Sequence, residues 1–259
     1  MPAIEPLYCV AGLLVGLLVG MTGVGGGSLM TPVLVLAFGF HPATAVGTDL
    51  LYASATKTAG TGVHGLRGSV DWRVVRRLFT GSGPAALLTL GWLSLSHHAP
   101  GDVDRAITLI LGVALVATGV ATLFRRRLIA WAGPAFAQAS PGRVATLTVV
   151  LGVVLGALVT LTSVGAGALG MTALLALYPR LPVSRLVGSD IAHAVPLTLI
   201  AGLGHWLNGS VDGELLASLL IGSVPGVVVG SLIATRIPER VLTPVLATTL
   251  AIVGAKLLI

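Results

Sequence analysis

Two broken apolar stretches constrain this chain more than any other feature. Residues 7–40 and 144–178 each run for about 34 residues and are interrupted midway by glycines and hydroxyls. The interruptions read Thr22-Gly23-Val24-Gly25-Gly26-Gly27-Ser28 and Thr162-Ser163-Val164-Gly165-Ala166-Gly167. One membrane crossing takes about 20 apolar residues, and two with a turn take about 40. A length between these suits two short half-helices that meet at a tip inside the bilayer. Six other segments, roughly 43–62, 74–95, 106–124, 186–207, 215–234 and 241–259, have the length and character of ordinary spans.

The charge content agrees. Only 9% of residues are Asp, Glu, Lys or Arg, while AVILMFWYC make up 55%. A soluble domain carries about 25% charged residues, so this chain cannot cover a water-facing surface. That excludes a soluble enzyme, a disordered tail, a coiled coil and a secreted disulfide scaffold. What remains is an all-α integral membrane protein. Cys9 is the only cysteine, which excludes an internal disulfide and a cysteine metal cluster. The net charge of +6 is unevenly spread, and in such a chain it reports orientation rather than nucleic-acid binding. No Lys or Arg precedes Lys57, so the N-terminus lacks the basic region of a signal peptide.

The chain is also duplicated. A shift of 140 places Gly12, Gly16, Thr22, Val24, Gly25, Gly27 and Pro42 on Gly152, Gly156, Thr162, Val164, Gly165, Gly167 and Pro182. A shift of 141 then places Gly47, Asp49 and His64 on Gly188, Asp190 and His205, and Gly68-Ser69-Val70-Asp71 on Gly209-Ser210-Val211-Asp212. Gly81, Ser82 and Pro84 likewise reach Gly222, Ser223 and Pro225. The sequence therefore divides into a first repeat (1–124), a cytoplasmic linker (125–143) with Arg125-Arg126-Arg127, and a second repeat (144–259).

Equivalent loops carry opposite charge. The first brings Arg67, Arg73, Arg76 and Arg77; its counterpart has Asp212 and Glu214 and no Lys or Arg between 187 and 235. Positive loops stay in the cytoplasm, so the halves are expected to be inverted. Each half then needs an odd number of crossings, supplied by three spans plus one re-entrant hairpin. Both chain ends fall outside, with Lys256 a small cost to the scheme. Inverted repeats with broken helices are the sequence sign of a secondary transporter with its site near the midplane.

The candidate substrate-binding residues are Thr22, Gly25, Gly26, Gly27, Ser28, Thr162, Ser163, Gly165 and Gly167 at the tips, with Lys57. A helix N-terminus offers unpaired N–H donors and a dipole that favours an anion, and glycine lets the ligand come close. The bland alternative is a glycine kink that only packs helices. Asp49 and Asp190 are acids inside spans at matching positions, and His193 follows Asp190 by three residues. Intramembrane ionisable groups are costly and point to function, so these three are the proton-coupling candidates. The competing roles are structural hydrogen bonds for the acids, a structural imidazole for His193, and snorkelling for Lys57. Gly12-xxx-Gly16-xxx-Gly20, Gly152-xxx-Gly156 and Gly226-xxx-Gly230 are packing faces.

Taken together, Gly16-xxx-Gly20-xx-Gly23-x-Gly25-Gly26-Gly27, Pro32, Ala45-Val46-Gly47-Thr48-Asp49, Gly68-x-Val70-Asp71-Trp72 and Gly81-Ser82-x-Pro84 resemble the TauE/SafE family of sulfite and organosulfonate exporters. The second half repeats the pattern more weakly. The resemblance implies a transporter of small sulfur-containing anions in a bacterial inner membrane. Ser or Thr is common in that family where Asp49 stands. The expectation is proton-coupled export of a small anion bound between the tips, with no enzyme activity, no cofactor and no metal. The partners are a small anionic substrate, protons and the lipid bilayer, without nucleic acid; the sequence leaves the oligomeric state open. The rivals are a passive anion channel and a membrane subunit of a larger complex.

Overall fold

The computed structural model describes residues 4–22, 27–66, 70–95, 100–233 and 239–258. Its elements are helices: α1 (Pro6–Thr22), α2 (Gly27–Leu36), α3 (Pro42–Leu66), α4 (Trp72–Leu95), α5 (Pro100–Leu123), α6 (Arg125–Ala137), α7 (Pro141–Thr162), α8 (Ala168–Leu177), α9 (Val183–Leu207), α10 (Gly213–Ile233) and α11 (Glu239–Leu258). Among the described residues there is no strand. The protein is an all-helical, multi-pass membrane protein. Within the described residues, five segments are long and apolar enough to cross a bilayer: Trp72–Leu95, Asp104–Leu123, Pro141–Thr162, Val183–Leu207 and Gly213–Gly230.

Two differences from expectation have plain causes. The hairpin arms are unequal rather than two short halves. α1 and α7 run 17 and 22 residues, whereas α2 and α8 run 10 each. Nothing interrupts the apolar run of α7 until Ser163, and Pro141 starts it earlier, behind the Ser140 N-cap that accepts from the Arg143 N–H at 3.3 Å. α3 is 25 residues long but is not among the five apolar spans. It carries Asp49, Lys57 and a series of threonines, so its polarity reflects what it faces inside the protein.

Glycine builds the long seams. α1 packs along α10, and α7 along α4. A Cβ at Gly12 would strike the Leu219 carbonyl, and one at Gly152 would strike that of Leu78. Gly16 meets Ser223 as Gly156 meets Ser82, and Gly222 meets Cys9 as Gly81 meets Val149. Each contact recurs with the halves exchanged. Such small-residue faces bring backbones together where lipid gives helices no hydrophobic drive to associate. Positions rise together along both seams, so each of these pairs is parallel.

The equivalent helices run the other way. α3 packs on α9 and α5 on α11. Gly202, late in α9, meets Leu51, early in α3, and Gly47 meets His205 and Ser210. Gly112 meets Gly254 and Leu258, while Gly119 meets Ala247 and Ala251. Both pairs are therefore antiparallel. Asp71 and Asp212 lock the ends. Asp71 N–H donates to Ser189 Oγ at 2.8 Å, and Asp212 N–H donates to Thr48 Oγ1 at 3.1 Å. The two carboxylates cap α4 and α10 by accepting from the amides of Arg73 and Val74, and of Glu214 and Leu215.

The outer faces are apolar, with Leu87, Leu88, Val153, Val154, Val224 and Val228 exposed. The interior holds the polar groups: Asp49, Lys57, Asp190, His193 and many hydroxyls are buried. That distribution suits a lipid surround, which offers no hydrogen bonds. The linker residues 125–137 form α6, which packs on α8 and is held by Arg180 Nη2 donating to Ala137 O at 3.0 Å.

Candidate functional site

Four elements converge on the centre: α3, α9, and the short arms α2 and α8. Asp49 is fully buried on α3. Its Oδ2 accepts from the Thr31 hydroxyl at 2.5 Å and the Thr31 N–H at 3.2 Å, which ties the second arm of the first hairpin to α3. Its Oδ1 has no partner, although Ser163 lies beside it. Asp190 holds the equivalent place on α9. Met171 stands where Thr31 would be, so that hydroxyl is missing here; among the described residues its Oδ1 is unpartnered and lies close over Gly170, where a Cβ would come within 2.8 Å. One acid is thus bonded to its hairpin and the other only lies against it.

Lys57 is buried two turns along α3 from Asp49, with Asp190 and then Asp49 as its acidic neighbours. Among the described residues neither forms a direct ion pair with it. His193 is fully buried beside Lys57. Its Nε2 and Ser82 Oγ share a hydrogen bond of 2.8 Å, while Nδ1 is unpartnered. Tyr52 is the repeat counterpart of His193, and Ser223 of Ser82. Tyr52 is fully buried beside Ser223 with an unpartnered hydroxyl.

The second tip is described in full. Ser163 caps α7 in the left-handed region at φ 58°, and Gly165 and Gly167 adopt φ 123° and 120°. Only glycine reaches the last two cheaply. The Thr162 hydroxyl is committed to the backbone: it donates to Leu158 O at 2.7 Å and accepts from Val164 N–H at 3.1 Å. Gly165 O and Gly167 O accept from the amides of Gly170 and Met171. The first amides of α8, at Ala168 and Leu169, then point off a helix N-terminus with no partner inside the helix. At the first tip, Gly25 and Gly26 lie outside the described residues, as do the side chains of Thr22 and Ser28; Gly27 begins α2.

Sequence reasoning missed Thr31, Tyr52, Ser82 and Ser223 as members of this cluster. The repeat register carried the signal for the last three, since each matches a residue in the other half. Thr31 has no polar counterpart and left no signal. His205, matched by repeat to His64, is structural: its Nε2–H donates to Thr160 O at 2.9 Å. The side chain of His64 lies outside the described residues. A cleft of about 1060 Å³ lies elsewhere, at Arg125, Arg126, Arg127, Tyr178 and Thr243.

The family described as "Sulfite exporter TauE/SafE" matches residues 8–257. The chain belongs to the TauE/SafE family. It is 39% identical over 211 residues to the "Probable membrane transporter protein YjnA" of Bacillus subtilis (strain 168), covering 81% of this chain and 82% of that one. It is 28% identical over 213 residues to the "Probable membrane transporter protein YdhB" of the same organism, with 80% and 81% covered. A "Probable membrane transporter protein" of Xylella fastidiosa (strain 9a5c) is 28% identical over 214 residues, with 82% and 77% covered. No solved structure matches the chain. As a TauE/SafE member, the protein is a membrane transporter and not an enzyme.

Proposed function

We propose that this TauE/SafE transporter is a secondary active, proton-coupled exporter of a small sulfur-containing anion, such as sulfite or an organosulfonate, across the bacterial inner membrane. The observation that carries the reading is a set of buried polar atoms that make no hydrogen bond of good geometry among the described residues: Asp49 Oδ1, Tyr52 OH, Ser163 Oγ, Asp190 Oδ1 and His193 Nδ1. Buried polar atoms are paired in the great majority of cases. Five such atoms, among them those of the acids and the imidazole that neighbour Lys57, are what we read as a place built to exchange ligands.

The anion is held by the glycine tip at Gly165 and Gly167, the start of α8, and the Lys57 ammonium, with Gly25, Gly26 and Gly27 supplying the same from the first hairpin. The coupling proton belongs to the carboxyl pair. Asp190 is the better carrier of the two, because Asp49 already accepts two hydrogen bonds from Thr31 on one of its oxygens. The charged and titratable neighbours of Asp190 are Lys57 on α3 and His193 on its own helix. Protonating Asp190 removes a negative charge near the anion and leaves Lys57 to balance it, so proton and anion binding reinforce each other. Inversion of the halves is supported by the antiparallel pairing of α3 with α9 and α5 with α11, and by seams that recur when the halves are exchanged.

The test is anion flux in proteoliposomes of the purified protein, with sulfite, sulfate, thiosulfate, sulfoacetate and taurine compared. A pH gradient should drive uphill movement of at least one of these, and Lys57→Met should abolish it. Flux that ignores the gradient would make the protein a channel instead.

A further inference from the structure

The two halves of the site differ in a way that anion and proton binding leave unused. Asp49 Oδ1 and Ser163 Oγ are near neighbours, yet among the described residues no hydrogen bond of good geometry joins them or ties either to another group. A carboxylate beside a hydroxyl would ordinarily accept its proton. Both are more than nine-tenths buried, at 0% and 4% exposure. The Thr31 hydroxyl and N–H occupy the other carboxylate oxygen, which fixes the direction of the free one.

The free oxygens sit at the C-terminal end of α7. The last four carbonyls of a helix lack partners inside it, and the dipole there is negative. Val159 O accepts Ser163 N–H and Thr160 O accepts His205 Nε2–H. The carbonyls of Leu161 and Thr162 remain at the open end of the helix. Carboxylate, hydroxyl and carbonyl oxygens at a negative helix end form a hard oxygen set suited to a hard cation. Among the described residues only one carboxyl group is present, whereas calcium sites gather several carboxylates. A monovalent ion balances the set, and broken transporter helices hold Na⁺ by their C-terminal ends. The equivalent place in the other half lacks both hydroxyls, with Met171 for Thr31 and Gly23 for Ser163.

We propose that Asp49 Oδ1, Ser163 Oγ and the terminal carbonyls of α7 form a Na⁺ site beside the anion site. The role of the bound ion as a second coupling ion rests on the transporter reading above; its binding does not. Ser163 then belongs to the cation rather than to the anion donors. The ion clamps α3, α2 and the second tip together.

The experiment is thermal unfolding and anion binding of the purified full-length protein in NaCl, KCl or choline chloride at equal ionic strength. Na⁺ alone should raise the unfolding temperature in a saturable way. Asp49→Asn should weaken the half-effect concentration about tenfold or more. Ser163→Gly is the second variant, because glycine keeps the left-handed backbone and removes only the hydroxyl; it should weaken Na⁺ similarly while folding normally. An equal response to all three salts, as expected if only water bridges the two atoms, overturns the site. So does an undiminished Na⁺ response in a folded Ser163→Gly protein. Flux driven by a pH gradient, measured in parallel, separates the two ideas. Its presence without a Na⁺ effect sinks only the Na⁺ site, and its absence with a Na⁺ effect sinks only proton coupling.

Discussion

Replacing Thr31 by Val should release the short arm α2 from α3. The two side chains have nearly the same shape, so packing is kept and one donor is lost. That donor is fully buried and bonds a carboxylate at 2.5 Å, leaving only the Thr31 N–H at 3.2 Å. A hydrogen bond to a charged group contributes about 1.5–3 kcal/mol. At about 1.4 kcal/mol per factor of ten, docking of α2 should weaken by roughly 10- to 150-fold. The measurement is hydrogen–deuterium exchange of residues 29–36 in detergent micelles, with α7 as an internal reference. Amides of α2 should exchange faster by about that factor while those of α7 are unchanged. Exchange within about twofold of the parent would refute the argument, because the bond would then hold nothing in place.

Other outcomes follow from the same geometry. Gly12→Leu and Gly152→Leu should each lower the unfolding temperature, because overpacking commonly costs about 1–3 kcal/mol and the clash is with backbone at Leu219 or Leu78; similar losses at the two sites would be read by thermal unfolding. In a protein whose Cys9 is replaced, Gly68→Cys should be labelled only from the cytoplasm and Gly209→Cys only from outside, and labelling of both from one side would reject inversion. Anion binding should strengthen as pH falls, and Asp190→Asn should bind anion with that pH dependence removed; a binding titration across pH checks this. Gly167→Val should abolish anion binding, since φ 120° and the start of α8 tolerate no bulk; unchanged affinity in the folded variant would move the anion elsewhere.

The class of the fold was legible because lipid imposes a rule on composition: helices must satisfy their own backbone, and their outer faces must be apolar. The repeat was legible because polar identities such as Asp49 with Asp190 and Asp71 with Asp212 survive in both halves. What the repeat could not convey is where the halves stop being equivalent. Thr31 opposite Met171, Tyr52 opposite His193, Lys57 opposite Thr198 and Ser163 opposite Gly23 are mismatches when the register is read for likeness. In three dimensions Thr31, Tyr52, Lys57 and Ser163 gather around Asp49. Asp49 is bonded on one oxygen, while the Oδ1 of Asp190 lies against Gly170 without a bond among the described residues.

A symmetric frame explains that concentration of differences. Two equivalent halves give two equivalent ways to pack, which suits a protein that must open to either side. Identical acids in identical settings would load and release together. In the coupling proposed above, distinct partners around Asp49 and Asp190 would let the two acids act separately. The seams that recur in both halves, Gly12 with Leu219 and Gly152 with Leu78, keep the frame the same on both sides. Thr31, Tyr52, Lys57 and Ser163, which differ from their counterparts, are buried inside it, where a change of side chain alters the chemistry and leaves those glycine seams in place.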